Sequence, residues 1–560
     1  MRRRRGTELW PCVLVALLGA AAAAEVRFTD VTATAAVDFT HGNSATSNKY
    51  LIETMGGGVA LFDYDNDGRL DIFFTNGARL DDPMPAGREP DKSDRRFWNR
   101  LYRQEGAAAF VDVTETAGLT GMSQNRYGMG VAVGDYDNDG FADLYVTNFG
   151  GNTLYRNNGD GTFADVTAKA RVAAGGWSAS AGFFDYDNDG KLDLFVTRYV
   201  EWTFQRNRYC GEKKPGYRAY CHPDNFEGIA NVLYHNNGDG TFTDVSSSAR
   251  IADPSGKGLG VAFADYDRDG FMDVYVANDS VQSFLYHNEG NGTFTEVGLL
   301  AGVGFNEDGK TFAGMGVDFA DYDNDGRPDI VVTDLSNERY RLFRHNGDDS
   351  FLDVTNVSGV GGATLPYSGW GTRFLDYDND GWKDIFVAQG HVMDTIEKTA
   401  PNLSYLQPPL LLRNESGRFV RVTPGDIFQR AVAGRGAAFG DIDNDGDIDA
   451  VVSTVGQKAV VLRNDGGNRR NWIGLRAEGR TSNRDGIGAR VTVVAASGLT
   501  QHFTINTAAG YLSASDKRLV VGLGPDAVAK VVEVRWPSGL VQTFDDVKAG
   551  RVLSAVEPLR

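Results

Sequence analysis

One nine-residue element returns seven times along this chain, and it limits the possible folds more than any other feature. The first copy is Asp63-Tyr-Asp-Asn-Asp-Gly-Arg-Leu-Asp71, and every copy keeps Asp at positions 1, 3, 5 and 9 with Gly at position 6. A glycine-led apolar segment precedes each copy, as in Gly58 to Phe62 or Gly260 to Ala264. A β-branched and aromatic run follows it, as in Asp143 to Thr147 or Asp329 to Thr333. Runs this short and this rich in Val, Ile, Phe and Tyr read as strands, and recurrence along the chain is the mark of a repeat architecture.

Two further elements share the period. A Leu-Tyr-x-Asn segment begins at Leu101, Leu154, Leu233, Leu285, Leu342, Leu411 and, as a variant, Val461. Several copies run into a hairpin turn such as Asn157-Asn-Gly-Asp-Gly161. A Phe-x-Asp-Val-Thr segment, or a close variant, begins at Phe110, Phe163, Phe242, Phe294, Phe351 and Phe419. Six copies follow six loops, none follows the seventh, and the missing one, Phe28 to Thr32, stands ahead of the first loop. The unit is therefore strand, loop, strand, Leu-Tyr strand, turn and Phe strand. Complementary fragments at the two ends predict an all-β closed ring, a seven-bladed β-propeller whose N-terminal strand completes the last blade. An open solenoid has no use for such an offset.

Aspartates at alternate positions of a curling loop bring their carboxylates around one centre, and the glycine at position 6 permits the bend. Position 7 can add a backbone carbonyl, so its side chain is free to vary. The candidate ligands are Asp63, Asp65, Asp67, Arg69 and Asp71 in the first loop, and Asp135, Asp137, Asp139, Phe141 and Asp143 in the second. The third and fourth offer Asp185, Asp187, Asp189, Lys191 and Asp193, then Asp265, Asp267, Asp269, Phe271 and Asp273. The fifth and sixth offer Asp321, Asp323, Asp325, Arg327 and Asp329, then Asp376, Asp378, Asp380, Trp382 and Asp384. The seventh offers Asp441, Asp443, Asp445, Asp447 and Asp449. Hard oxygen donors in this number suit Ca²⁺ better than Mg²⁺ or Mn²⁺. Position 12, where an EF-hand needs Glu, holds Phe or Val inside the next strand, so the motif is strand–loop–strand. Aspartates that merely cap polar turns would repel one another in every blade, so about seven structural Ca²⁺ are expected. Affinities on the order of 10⁻⁴–10⁻³ M or tighter fit extracellular modules.

The 560-residue chain is longer than one ordinary domain, and its formal charge of −19 argues against a nucleic-acid partner. Arg2 to Arg5, an apolar run from Trp10 to Ala23 and Ala22-Ala23-Ala24 read as a signal peptide over 1–24, cleaved near Ala24. Its loss removes four Arg and one Glu, taking the charge from −19 to −22, which seven divalent ions would bring to −8. No later apolar stretch is long enough to span a bilayer, so a secreted or periplasmic protein, expected to be monomeric, follows. Cys210 and Cys221 then form an even pair bracketing a short loop, and a local disulfide is expected in place of two free thiols. The propeller is expected over 25–465. Alternation in Arg490 to Val494 and Val531 to Arg535 predicts a small β-sandwich-like domain over 470–560.

The repeats resemble the FG-GAP/VCBS family, best known from integrin α-subunit propellers, and the Asp-rich loop carries the likeness. Toward the C-terminus, Asn483 to Arg490, Gly510-Tyr-Leu-Ser513, Ser515-Asp516, Gly522-Leu-Gly524 and Trp536-Pro-Ser-Gly539 resemble the ASPIC/UnbV domain. Together they place the chain beside the cartilage acidic protein 1-like proteins. The resemblance implies an extracellular or periplasmic calcium-binding protein.

Long insertions fall between the second and third strands of a unit, at roughly Ala78 to Arg100, Tyr199 to Asn231 and Gln389 to Pro408. The metal loop joins strands one and two, so these insertions belong on the opposite face, where variable loops form binding surfaces. His222 and His391 lie in them but form no triad or ligand set, and His235 and His287 read as ordinary strand positions equivalent to Arg103 and Arg156. No Gly-x-Ser-x-Gly elbow or phosphate-cradling loop occurs. A binding or adhesion module for an extracellular protein or glycan, without catalytic activity, is the expected function. The alternatives are a carbohydrate-active lyase or hydrolase working on the insertion face, or a purely structural component.

Overall fold

The computed structural model describes residues 26–106, 109–120, 126–508 and 510–559. The expected signal peptide lies outside the described residues. Seven four-stranded antiparallel sheets carry the seven Asp-rich loops, one loop per sheet between its first and second strands. They are numbered here as blades 1 to 7 in loop order. The first strands are Val59–Phe62, Tyr127–Gly134, Ser178–Phe184, Gly258–Ala264, Val317–Ala320, Gly369–Leu375 and Gly434–Gly440. Each packs on the next, and the last packs on the first, so the sheets close a ring.

Blade 7 is completed by the N-terminal strand. Arg27–Asp30 pairs antiparallel with Val460–Asp465, Arg27 opposite Asp465 and Asp30 opposite Leu462. Phe28 is buried against Tyr377, Phe386 and Phe428, so the join is held by apolar contact as well as by the ladder. Between neighbouring sheets the core is aliphatic and aromatic, as where Ala60, Phe62 and Phe73 of blade 1 meet Val131 and Val133 of blade 2.

Glycine has a second use besides turns. The first strands converge on the axis, and their backbones approach too closely for side chains. A Cβ at Gly316 would lie 1.9 Å from the Trp370 carbonyl oxygen, and one at Gly260 2.3 Å from that of Met315. Threonines at the end of the second strand bridge the same gap. Thr75, Thr197 and Thr333 donate to the carbonyls of Met129, Leu259 and Trp370 in the next blade.

The insertions meet one another on the face opposite the loops and form one cap, together with residues 42–55. Lys49 pairs with Asp394 at 2.6 Å, Lys398 donates to the Gly216 carbonyl at 2.6 Å, and Asn207 donates to the Asn48 carbonyl at 2.9 Å. Cys210 and Cys221 are joined by a disulfide, Cα atoms 5.3 Å apart, closing a hairpin in this cap. Tyr220, beside that bridge, donates to Glu53 from the N-terminal segment at 3.1 Å.

Glu53 has no solvent exposure, and burial lifts its carboxyl to about 7 despite donors from Thr46, Tyr50 and Tyr220. The unfolded chain loses this proton near 4.5 while the folded chain keeps it to about 7. Its contribution is therefore complete below the unfolded value and is lost as pH rises through the folded one. Denaturant unfolding from pH 4.5 to 8 should show the wild type losing up to about 3 kcal/mol relative to Glu53→Gln. Parallel curves for the two proteins would refute this.

The C-terminal region forms two sheets around one apolar core, a three-stranded sheet of Leu519–Gly524, Asn471–Glu478 and Arg551–Val556 and a four-stranded sheet containing Arg490–Ala495 and Val528–Arg535. It sits on the loop face. From it, residues 505–508 and 510–516 enter the ring's axis and bond to the inner edges of the first strands. Leu61 donates to the Ala514 carbonyl at 3.1 Å and Ala514 to that of Val59 at 3.0 Å. Val131 donates to the Leu512 carbonyl at 3.0 Å, Gly510 and Val317 exchange two bonds, and Asp516 donates to the Phe439 carbonyl at 3.0 Å. A strand edge turned toward the axis would otherwise leave these groups unpaired. Tyr511 reaches furthest, stacking edge-on against Trp370 at 4.9 Å and donating to the Met55 carbonyl at 2.7 Å beneath the cap.

Candidate metal centres on the loop face

Each loop is held open by its own carboxylates. In blade 2 the Asp135 oxygens accept the N–H of Asp139 at 3.0 Å and of Gly140 at 2.8 Å, pinning the bend. Asp143, at position 9, accepts from Tyr136 at 3.2 Å and from Asn157 on the third strand at 2.8 Å. Asp139 accepts from Phe141 at 2.9 Å. The other blades repeat the scheme, except that in blade 4 the Asp269 N–H goes to Asp267 instead of Asp265. Position 9 is always bonded to position 2 and to the third strand, as in Asp71, Asp193, Asp273, Asp329, Asp384 and Asp449.

Position 3 is different. Asp65, Asp137, Asp187 and Asp443 each carry a buried Oδ1 with no hydrogen-bond partner, as does Asp265 at position 1 of the fourth loop. A buried carboxylate oxygen without a donor is costly. In the first two loops the oxygens of positions 1, 3 and 9 lie within 4.8 Å of one another, and in the third those of Asp185, Asp187 and Asp189 do. Burial pushes Asp185 up to about 8, aided by repulsion from Asp193, Asp189 and Asp187, and pushes Asp71 to about 8 and Asp135 to about 7. Such centres favour a proton or a cation. An all-oxygen donor set with unpartnered buried oxygens fits a hard divalent ion, Ca²⁺ first.

The loops are tied to one another. Position 4 is Asn in six loops and takes positive φ, 58° at Asn66 and 54° at Asn379, where Asn is tolerated better than most residues. Its side chain donates to the position-6 carbonyl of the next loop, from Asn66 to Gly140 at 2.8 Å, Asn138 to Gly190 at 2.9 Å and Asn188 to Gly270 at 2.9 Å. Arg268 takes over toward Gly326, followed by Asn324 to Gly381 at 3.0 Å and Asn379 to Gly446 at 2.9 Å. Asn444 closes the circle on Gly68 at 3.2 Å. The Asn of Leu-Tyr-x-Asn reaches the other way, as from Asn157 to the Tyr64 carbonyl at 2.8 Å and from Asn464 to that of Tyr377 at 2.7 Å. Asn379→Ala should cost about 2–3 kcal/mol, combining the lost bond with the strain of Ala at positive φ. Asn379→Gly should cost about 1 kcal/mol less, because only the bond is lost. Equal costs in denaturant unfolding would show that the positive φ contributes nothing separable.

Sequence reasoning missed a further group. The residue before that Asn faces the loop of its own blade, and Arg156 contacts Asp137 at 2.6 Å and Asp139 at 2.5 Å. His235 and His287 are therefore not ordinary strand positions. His287 Nδ1 lies 3.2 Å from Asp267 and 3.3 Å from Asp273, and His235 Nδ1 lies 3.3 Å from Asp193. The adjacent Asp273 carboxylate raises His287 to about 9, and that of Asp193 raises His235. The signal was present, since these positions hold only Arg or His.

The C-terminal region reaches the same loops. Arg490 pairs with Asp265 at 2.9 Å, Arg470 with Asp378 at 2.8 Å, and Asp485 accepts the Asp135 N–H at 2.8 Å. Asp447, the acidic residue at position 7, accepts from Asn468 at 3.1 Å and keeps a buried Oδ1 without a partner.

The FG-GAP-like repeat pattern matches residues 63–146, 135–196, 224–276, 269–332 and 321–387. The chain belongs to the FG-GAP-like repeat family. Residues 479–559 match the ASPIC and UnbV domain. Among curated relatives, cartilage acidic protein 1 of Homo sapiens is 26% identical over 542 residues, covering 90% of this chain and 72% of that protein. Its Mus musculus counterpart is 28% identical over 305 residues, covering 53% of this chain and 44% of its own length. Among solved structures, an Agrocybe aegerita lectin specific for non-reducing terminal N-acetylglucosamine aligns at 17% identity and TM-score 0.38, covering 68% of this chain and 84% of the lectin. Trypanosoma rangeli sialidase aligns at 9% and 0.36, covering 80% and 60%. In this FG-GAP chain every repeat contributes its loop to one face of the ring, with the ASPIC and UnbV region seated over them.

Proposed function

We propose that this FG-GAP chain is an exported, calcium-loaded propeller that acts as a binding module for an extracellular protein or glycan through its cap. The ions are held by the aspartates at positions 1, 3, 5 and 9 of each loop, and they supply charge neutralisation rather than chemistry on a substrate. The observation that carries the metal assignment is the set of buried, unpartnered position-3 oxygens in blades 1, 2, 3 and 7. Export is supported by the disulfide and by the charged and apolar N-terminal segment. No helix among the described residues is long and apolar enough to cross a membrane.

The binding role rests on the division of the two faces. The loop face is covered by the C-terminal sheets, whereas the cap is built from variable insertions on a rigid ring. Its disulfide-closed hairpin exposes Tyr209, Lys213 and Lys214, with the Lys214 ammonium 3.7 Å from the Tyr217 ring centre. Exposed aromatic rings and cations on an otherwise acidic protein suit sugar faces and acidic groups. Calcium-loaded protein applied to glycan and extracellular-protein arrays should bind a ligand, and a Tyr209→Ala, Lys213→Ala, Lys214→Ala variant should lose it. Absence of any ligand would favour a structural component instead.

A further inference from the structure

A cavity of about 300 Å³ lies between the C-terminal sheets and the loop ends of blades 4, 5 and 6. That volume is at the lower end of small-molecule sites. Two of its polar groups have nothing to bond to among the described residues. Arg373, on the first strand of blade 6, has Nη1 shielded from solvent and without a partner. Asp318 and Asp516 lie near enough to offset its charge, but neither hydrogen-bonds to Nη1, and the Asp318 oxygens accept the N–H groups of Phe319 at 3.0 Å and Phe374 at 2.8 Å. Asn506, which also lines the cavity, is 8% exposed, and its Oδ1 has no partner. One orphan is a charged donor and the other a neutral acceptor, and each is expensive to leave unpaired.

The rest of the wall sets the charge and shape. Six Arg and Lys side chains line the cavity against five carboxylates. Three of those carboxylates, Asp265, Asp321 and Asp376, stand at position 1 of metal loops. The lining thus holds one more cationic side chain than carboxylates, and cations on these loops would offset part of the remaining negative charge. Lys383 lies 4.3 Å from the Phe503 ring centre and donates to the Asp321 carbonyl at 2.8 Å, so it is held in place, and Phe503 gives the cavity an apolar side.

We propose that this cavity binds a small hydroxylated carboxylate, its carboxylate on Arg373 and a hydroxyl donating to Asn506 Oδ1. The guanidinium selects a planar anion by charge-assisted hydrogen bonds, and the amide oxygen selects a molecule that can also donate. Such a ligand touches both the propeller and the C-terminal sheets and ties them together. Sugar acids and short hydroxy acids share this chemistry. The site is separate from the cap.

The test uses the calcium-loaded full chain, titrated by calorimetry with D-glucuronate and with L-lactate, and with glucose and acetate as probes lacking one group each. Binding of at least one hydroxylated carboxylate is expected, with glucose and acetate about 10-fold or more weaker. Arg373→Met should weaken it about 10-fold or more, and Asn506→Asp, which keeps the shape but adds a negative charge, should do likewise. If glucuronate alone binds, the source is a sugar acid. If lactate binds as well, hydroxy acids are included. Silence with both carboxylates at millimolar concentration overturns the proposal, as does unchanged affinity in Asn506→Asp, which decides the matter even where Arg373→Met fails to fold.

Discussion

Removing divalent cations from the purified protein with a chelator is expected to lower its melting temperature by about 5–13 °C. The estimate follows from seven sites with dissociation constants of about 10⁻⁴–10⁻³ M in about 2 mM calcium, each adding roughly 0.6–1.8 kcal/mol. Physically, the loss has two sources. Carboxylates such as Asp71, Asp143 and Asp449 are fully buried and cannot stay charged without a counter-ion. Their hydrogen bonds also orient the second and third strands, as where Asp143 joins Tyr136 to Asn157. The circle of position-4 side chains adds a further expectation. A loop that opens without its ion disturbs its neighbour's carbonyl, so calcium titration of the stripped protein should be positively cooperative. A melting temperature indifferent to chelator, with no metal by elemental analysis beforehand, would remove the basis for the metal assignment.

Truncating the tyrosine at the tip of the axial segment should have an effect of similar weight. Tyr511 is fully buried, stacks on Trp370 and donates to the Met55 carbonyl. Tyr511→Ala should cost about 3–5 kcal/mol, as for other buried aromatic truncations. Tyr511→Phe should cost only about 1 kcal/mol, because it keeps the ring and loses one hydrogen bond. The alanine variant should also loosen the C-terminal sheets from the ring, since Gly510 and Leu512 bond to inner strands on either side of that tip. Denaturant unfolding gives the first quantity, and limited proteolysis at the 505–516 segment reports the second. A loss below about 1 kcal/mol would mean that the axis does not depend on this ring.

The cavity and the cap occupy opposite ends of this axial segment. Arg435 lies near its tip with no solvent exposure, donating to the Thr54 carbonyl at 2.7 Å and lying 4.1 Å from the Trp370 ring centre. Residues of the cap, the inner strands and the C-terminal region thus meet around Trp370. A ligand at either end acts on a molecule whose parts are packed through one line of contacts.

Much of this was legible without coordinates. The strand–loop–strand unit, the placement of the Phe28 segment in the last blade, the disulfide and the side on which insertions gather all follow from local patterns whose chemistry lies within a few residues. Asp at alternate positions and Gly at the bend need no distant partner to be understood. The circle of Asn side chains was not anticipated, because each Asn bonds to a carbonyl some 50 to 80 residues away in most cases. Likewise His235 and His287 were seen as strand residues, and their approach to the aspartates depends on the register of strand three against strand two.

Sequence alone determined the repeat, its closure and the oxygen-rich loops, because strand propensity, turn chemistry and carboxylate spacing are short-range properties. Only the tertiary structure decided that the Gly510-Tyr-Leu-Ser513 segment fills the ring's axis, that the C-terminal sheets cover the loops, and that Arg373 and Asn506 face one cavity. Those arrangements arise from how the inner strands converge and which of their edges remain to be paired, a condition of the closed ring as a whole.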